Sequence, residues 1–272
     1  MWERRLCAAM LEMPRIALGL EYNGTAFAGW QIQRDQPTVQ ESLEHALSRV
    51  ADHPVRVQCA GRTDSGVHAT AQVVHFDSDA PRTLWAWTLG ANANLPRSVA
   101  VNWARTVPDD FHARFSARSR SYRYRLLNRP TRAGLESDRV AWVHRPLDAG
   151  AMHAAAQRLL GEHDFSAFRA QGCQAKTPIR TLHRLDVVRD GDELRFEVRA
   201  NAFLHHMVRN LVGALCEVGN GERDAAWLRA VLDGRDRTRA SATASASGLY
   251  LVAVEYPPGY GLPDGAVSST PA

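Results

Sequence analysis

The chain has 272 residues, 45% hydrophobic and 23% charged, enough to bury one large core or two modest ones. Its nineteen Gly and thirteen Pro fall in no repeat or biased tract, which excludes collagen, solenoid and disordered classes, and no apolar run approaches the roughly 20 residues of a membrane span. Thirty-three cations against 29 acids leave +4; Lys176 is the only lysine, and either a nucleic-acid partner or G+C-rich codon usage produces so strong an arginine bias.

Residues 1–13 carry Arg4, Arg5 and a short apolar patch, but Glu3 and Glu12 flank it and no A-x-A site ends it. The segment reads as an untargeted extension, with Met10 or Met13 as alternative starts. Arg15 to Tyr22 is apolar and loosely alternating, and Asn23-Gly24 turns it into a loop holding Trp30 and Gln31. Thr38-x-x-Glu41 is a capping box, opening an amphipathic helix with Leu43, Ala46, Leu47 and Val50 on one face. Val55 to Cys59 and Gln72 to Phe76 alternate as strands, leaving the polar segment Gly61 to Ala69 between them. A helix over Arg82 to Gly90 and a strand over Val99 to Val107 complete a β-α-β-β-α-β-like unit.

A second unit begins with a strand over Ser121 to Leu127, followed by a helix over Ala149 to Leu160. Leu182 to Ala200 forms a hairpin turning at Asp190-Gly191, with Leu194, Phe196 and Val198 on its apolar face. Leu204, Val208, Leu211, Leu215 and Val218 stripe a helix that stops at Gly219-Asn220-Gly221. A short helix over Arg223 to Leu232 and a strand over Leu249 to Tyr256 finish it. Two α+β domains are expected, at 14–111 and 112–258, and 259–272 is a Gly/Pro/Ser-rich tail expected to be disordered. Cys7, Cys59, Cys173 and Cys216 show no zinc-site spacing, as suits reduced thiols of a cytoplasmic protein.

Gly61 to Ala69 sets Asp64 between Arg62 and a glycine-bearing turn, where catalytic groups and simple Asx-turns both occur. Asp64-Ser65-Gly66 also matches the D-[ST]-G triplet of aspartic proteases; no second triplet occurs, so a homodimer would have to supply the other carboxylate, and Gly61-Arg62-Thr63 replaces the apolar approach that dehydrates such a dyad. Arg118 to Arg125 interleaves Tyr122 and Tyr124 with Arg118, Arg120 and Arg123, either a platform for stacked bases and phosphates or a strand with tyrosines inward and arginines in water. Arg209 lies one turn after His205, beside the apolar stripe, where an arginine ordinarily snorkels. His205 and His206 diverge by about 100° if both are helical, and no neighbouring carboxylate accompanies them, so they read as core or RNA-facing residues rather than metal ligands. Walker, G-x-G-x-x-G and G-x-S-x-G motifs are missing, which points to a reaction without a cofactor.

In this order the stretches Tyr22 to Gln31, Gly61 to Ala69, Ser121 to Tyr124, His163 to Phe168, Phe203 to Gly213 and Gly248 to Leu251 resemble the tRNA pseudouridine synthase A family, over about Arg15 to Pro257. That family isomerises uridines at tRNA positions 38 to 40. The resemblance implies Asp64 as the catalytic aspartate, Tyr122 against the target base, Arg62 as the residue that helps extrude it and Arg209 as the partner of Asp64. It implies α+β halves of ferredoxin-like or RRM-like type sharing a mainly antiparallel sheet, with Asp64 in the cleft between them. Arg118, Arg120, Arg123 and His205 become candidate RNA contacts, and a homodimer on tRNA, free of membranes, is the expected assembly. Asn23 stands where relatives carry Asp, and Ala242 and Ser245 where they carry Pro. The rival is an RNA-binding module without catalysis.

Overall fold

In the computed structural model, which describes residues 13–263, ten strands form one sheet, eight along its main path and two short ones beside it. The first half runs β1 (Arg15–Tyr22), α1 (Val39–Ala51), β2 (Gln58–Cys59), β3 (His68–Asp77), α2 (Ala91–Asn94) and β4 (Val99–Val107). β1 lies between β3 and β4, and β2 pairs with β3, the order of a ferredoxin-like unit. The second half holds β5 (Ser119–Asn128), β6 (Ala141–Val143), α3 (Ala149–Gln157), β7 (Gly161–Asp164), β8 (Ile179–Asp190), β9 (Glu193–Ala200), α4 (Met207–Gly219), α5 (Ala225–Gly234) and β10 (Leu249–Glu255). The main path runs β4-β1-β3-β10-β5-β9-β8-β7, with β2 on β3 and β6 on β5, and among the described residues only the β10–β3 and β5–β6 pairs are parallel.

The helix starts follow from local chemistry. Thr38 Oγ1 accepts from the Glu41 amide at 3.4 Å, and Asp148 and Asp224 cap α3 and α5 in the same way. β1, β4 and the β8–β9 hairpin match their predicted spans within a few residues, because alternating apolar residues meet one buried face there. The helix predicted over Arg82 to Gly90 instead continues through a π-helical turn over Ala86–Gly90 into α2, where a Cβ on Gly90 would come within 2.9 Å of Val50 Cγ2. β2 is shorter than predicted and β3 longer. β3 starts at His68 because Ala69 pairs with Tyr22 on one side and Leu251 on the other. The short strands β6 and β7 were not expected. Cys7, most of the 1–13 extension and the end of the tail, for which the sequence sets expectations, lie outside the described residues.

The last strand decides where the site forms. β10 runs parallel to the start of β3 and antiparallel to β5, setting Ala69, Leu251, Tyr122 and Val198 in one row across four strands. The loop leading into β3 therefore opens beside Tyr122 of the other half.

His75 on β3 is 5% exposed, its Nδ1 accepts from the Ala113 amide at 3.2 Å, and its ring lies 4.6 Å from that of His112. Burial first, then the His112 and Arg15 charges, push its pKa down to about 4. The folded state thus holds His75 neutral where the unfolded chain, with a pKa near 6.5, takes up a proton. Its contribution is present above pH 6.5 and is lost as pH falls toward 4. Urea unfolding between pH 7 and 4 is expected to show this slope, and His75→Gln to flatten it; an unchanged slope in the variant removes His75 as its source.

Candidate active site

The segment from Ala60 to Val67 is held by its neighbours at nearly every residue. Arg120 donates to the Ala60 carbonyl, Gln72 Nε2 to the Gly61 carbonyl at 2.7 Å, and the Trp30 amide to the Thr63 carbonyl at 2.9 Å. Thr63 Oγ1 shares a 2.8 Å hydrogen bond with the buried Tyr22 hydroxyl, and the Val67 amide closes the turn onto the Asp64 carbonyl at 3.1 Å. The Tyr22-to-Gln31 stretch packs against this turn without room for a side chain: a Cβ on Gly24 would stand 2.0 Å from the Val67 carbonyl oxygen. Gly66, at φ 76°, takes the left-handed geometry that glycine adopts without steric cost. Such an anchored loop carries a preset side chain.

That side chain is Asp64. Its carboxylate is 22% exposed and faces the start of α4. His205 Nε2 stands 3.2 Å from Oδ1, while His206 Nε2 and Arg209 Nη1 stand 3.5 and 3.6 Å from Oδ2. Arg209 does not snorkel: its Nε donates to the Ala244 carbonyl at 2.8 Å, which turns the guanidinium inward. Arg237 braces that segment through the Ser241 carbonyl and Thr243 Oγ1. The positive end of the α4 dipole adds to the same field.

The histidine pair, expected to diverge and to lack a carboxylate, instead converges on Asp64. α4 begins only at Met207, His206 has φ 61°, and the two rings lie 4.0 Å apart with both Nε2 atoms toward Asp64. The 100° divergence holds within a helix, and these residues precede one; the missing carboxylate arrives from 141 positions away in the chain. Burial lowers the pKa of His206, the Asp64 charge opposing it.

Tyr122 is 8% exposed, packs edge-on to Phe203 at 5.0 Å, and its hydroxyl lies 3.8 Å from where a Gly61 Cβ would be. Burial first, then the nearby Asp64 charge, push its phenol pKa up, so it stays protonated at neutral pH. Thus Asp64, Tyr122, Arg209 and His205 come together, and Arg62 is exposed on the same loop.

The other candidates on β5 are placed differently. Arg120, expected among the RNA contacts, is buried and spends its donors on the carbonyls of Ala60, Arg114, Ala117 and Asn201. Arg123 pairs with Glu197 opposite it on β9 at 2.6 Å. Tyr124 is fully buried and donates to the Ser245 carbonyl. The platform of stacked bases therefore does not form on this strand, and Arg118 alone of its three candidates is exposed. Sequence reasoning missed His206, Tyr22 and Gln72 as parts of the site; only the Tyr22-to-Gln31 stretch carried a signal for them.

Asn23 makes an Asx-turn, its Oδ1 accepting from the Thr25 amide at 3.0 Å, and Ser245 has φ −56°, which a proline ring also holds. These departures leave the local backbone in order.

A sequence profile of the tRNA pseudouridine synthase family matches residues 20–116 and 155–257. A tRNA pseudouridine synthase A of Vibrio parahaemolyticus is 57% identical over 249 residues, covering 92% of this chain and 94% of the relative. That of Alcanivorax borkumensis is 56% identical over 253 residues, 93% of this chain and 95% of the relative, and that of Vibrio cholerae 55% identical over 250 residues, 92% and 95%. No helix among the described residues is long and apolar enough to cross a membrane. With the profile spanning both halves and the loop that bears Asp64, the chain belongs to the tRNA pseudouridine synthase family.

Proposed function

We propose that the protein isomerises uridine to pseudouridine at positions 38, 39 and 40 in the anticodon arm of tRNA, with Asp64 acting at the glycosidic bond. The observation that carries this reading is the half-buried Asp64 carboxylate, faced by one arginine and two imidazoles beside the buried Tyr122.

The reaction breaks N1–C1′, turns the freed uracil and joins C5 to C1′; the hydrogen on C5 leaves as a proton and N1 takes one up. Nothing is oxidised and no energy source is consumed. Positive charge developing on the ribose favours an ionised carboxylate as stabiliser or nucleophile, as in glycosidases. Arg209, fixed by the Ala244 carbonyl, holds its guanidinium 3.6 Å from the Asp64 carboxylate. A stacked base is out of reach, so the uridine must be extruded, with Tyr122 against the ring and Arg62 helping to expel it. Exposed arginines such as Arg118 hold phosphates. Family membership supports a homodimer working in the cytoplasm. The inactive binding module loses support because Tyr124, Arg120 and Arg123 are committed within the protein.

Tritium release from tRNA transcribed with C5-labelled uridine, without added cofactor, tests the reading. Release that maps to 38–40 supports it, and RNA binding without release returns the weight to the binding module. Arg62 is exposed and makes no ion pair among the described residues. Arg62→Ala is therefore expected to lower kcat/KM by about tenfold or more while stability stays within about 0.5 kcal/mol. Equal loss of both in activity assays and thermal melts would assign Arg62 to the fold.

A further inference from the structure

We propose that Asp64, His205 and His206 form a site for a divalent transition cation of the zinc class, and that occupancy of this site and turnover exclude each other. The second half of the proposal rests on reading Asp64 as the catalytic carboxylate; the first does not.

The three donor atoms lie within 4.8 Å of one another; His205 Nε2 stands 3.2 Å from Asp64 Oδ1, and His206 Nε2 stands 3.5 Å from the other carboxylate oxygen, Oδ2. A four-coordinate zinc at 2.0–2.1 Å from each ligand sets neighbouring donors about 3.3 Å apart. The 3.2 Å between His205 Nε2 and Oδ1 is longer than the roughly 2.7–2.9 Å of a charge-assisted N–H···O⁻ bond and close to that ligand spacing, and His206 brings the third donor within 4.8 Å of the others. Two imidazoles and one carboxylate are a donor set of three-ligand zinc sites that keep the fourth position open.

Each ligand is held by its backbone. The His205 amide donates to Cys173 Sγ at 3.4 Å and its carbonyl accepts from the Ala170 amide at 3.0 Å. The His206 carbonyl accepts the first helical bond, from the Asn210 amide at 2.9 Å. Arg209 and His206 both face Oδ2, and Oδ1, the oxygen nearer His205, is left for the metal, with Arg209 in the manner of an outer-sphere donor that orients a carboxylate ligand. A cation there occupies the carboxylate that the reaction needs and blocks the approach of C1′ to it. No step of the isomerisation passes through the ion.

The tag-free full-length protein is titrated with zinc against a chromophoric chelator, and with cobalt(II), whose absorbance reports four-coordinate geometry. One equivalent is expected to bind. His205→Ala and His206→Asn, the latter because asparagine tolerates the left-handed backbone, are each expected to weaken binding at least tenfold, with circular dichroism unchanged. Replacing all four cysteines, Cys7, Cys59, Cys173 and Cys216, together by serine is expected to leave it unchanged, since a serine hydroxyl at 173 still accepts from the His205 amide. Binding that survives both histidine substitutions, or that follows the thiols, overturns the site. Tritium release is measured over the same zinc range: inhibition with the binding midpoint, reversed by chelation, supports the exclusion, and full activity at saturation overturns it. Metal binding as expected in a protein that releases no tritium even when metal-free would refute the functional reading while leaving the site.

Discussion

Asp64→Ala is expected to reduce tritium release from C5-labelled tRNA by at least about 10³-fold, a loss of some 4 kcal/mol of transition-state stabilisation. No second carboxylate belongs to the cluster among the described residues, so no neighbour takes over the charge. Loss of the carboxylate removes the group that meets the developing positive charge on the ribose, and it leaves Arg209, His205 and His206 facing one another. The site then becomes more positive, so tRNA binding is expected to hold or tighten slightly in filter-binding or fluorescence titrations. Stability is expected to change by no more than about 1 kcal/mol, because the carboxylate is partly solvated and its contacts are 3.2–3.6 Å long. Asp64→Asn preserves the shape and separates charge from packing. Residual release above one-tenth of the parent in either variant would move catalysis to another residue.

How much of this was legible in the chain depends on the range of the interactions that decide each feature. The β1 and β4 spans, the Thr38 cap and the Asp190-Gly191 hairpin rest on periodicity and local hydrogen bonds, and they stand close to where the pattern set them. The start of β3 did not, since His68 and Ala69 become strand only by pairing with β1 and with the last strand of the chain. Side-chain fates on β5 were equally closed to sequence reasoning. Whether Arg123 meets water or an acid depends on the register that places Glu197 opposite it. His205 and His206 look like helix residues by spacing alone, and only the left-handed turn at His206 swings both rings onto Asp64. The polar block at Gly61 to Ala69 was visible as an anomaly between two apolar strands, and its meaning came from family resemblance.

Arg120 marks the sharpest difference between the two levels, and its substitution separates them. Its guanidinium reaches the Ala60 carbonyl at 3.0 and 3.3 Å, Asn201 at 3.1 Å, Ala117 at 3.2 Å, and Arg114 as well. It thus ties the root of the Asp64 loop to the end of β9 and to the link between the halves. Arg120→Ala strands these acceptors, each at a cost of about 1–3 kcal/mol where no water replaces the donor, so a destabilisation of roughly 3 kcal/mol is expected. For a chain of this size that is a fall of about 6–12 °C in Tm. Arg120→Lys recovers only part of it, because three donors on one nitrogen cannot span the same fork. Below the melting range the alanine variant is expected to lose kcat more than tRNA affinity, since the loop beneath Asp64 is loosened while the surface that meets phosphates is intact. A variant with unchanged Tm, weaker tRNA binding and a shallower salt dependence would instead put Arg120 on the RNA, where the alternating strand first suggested it.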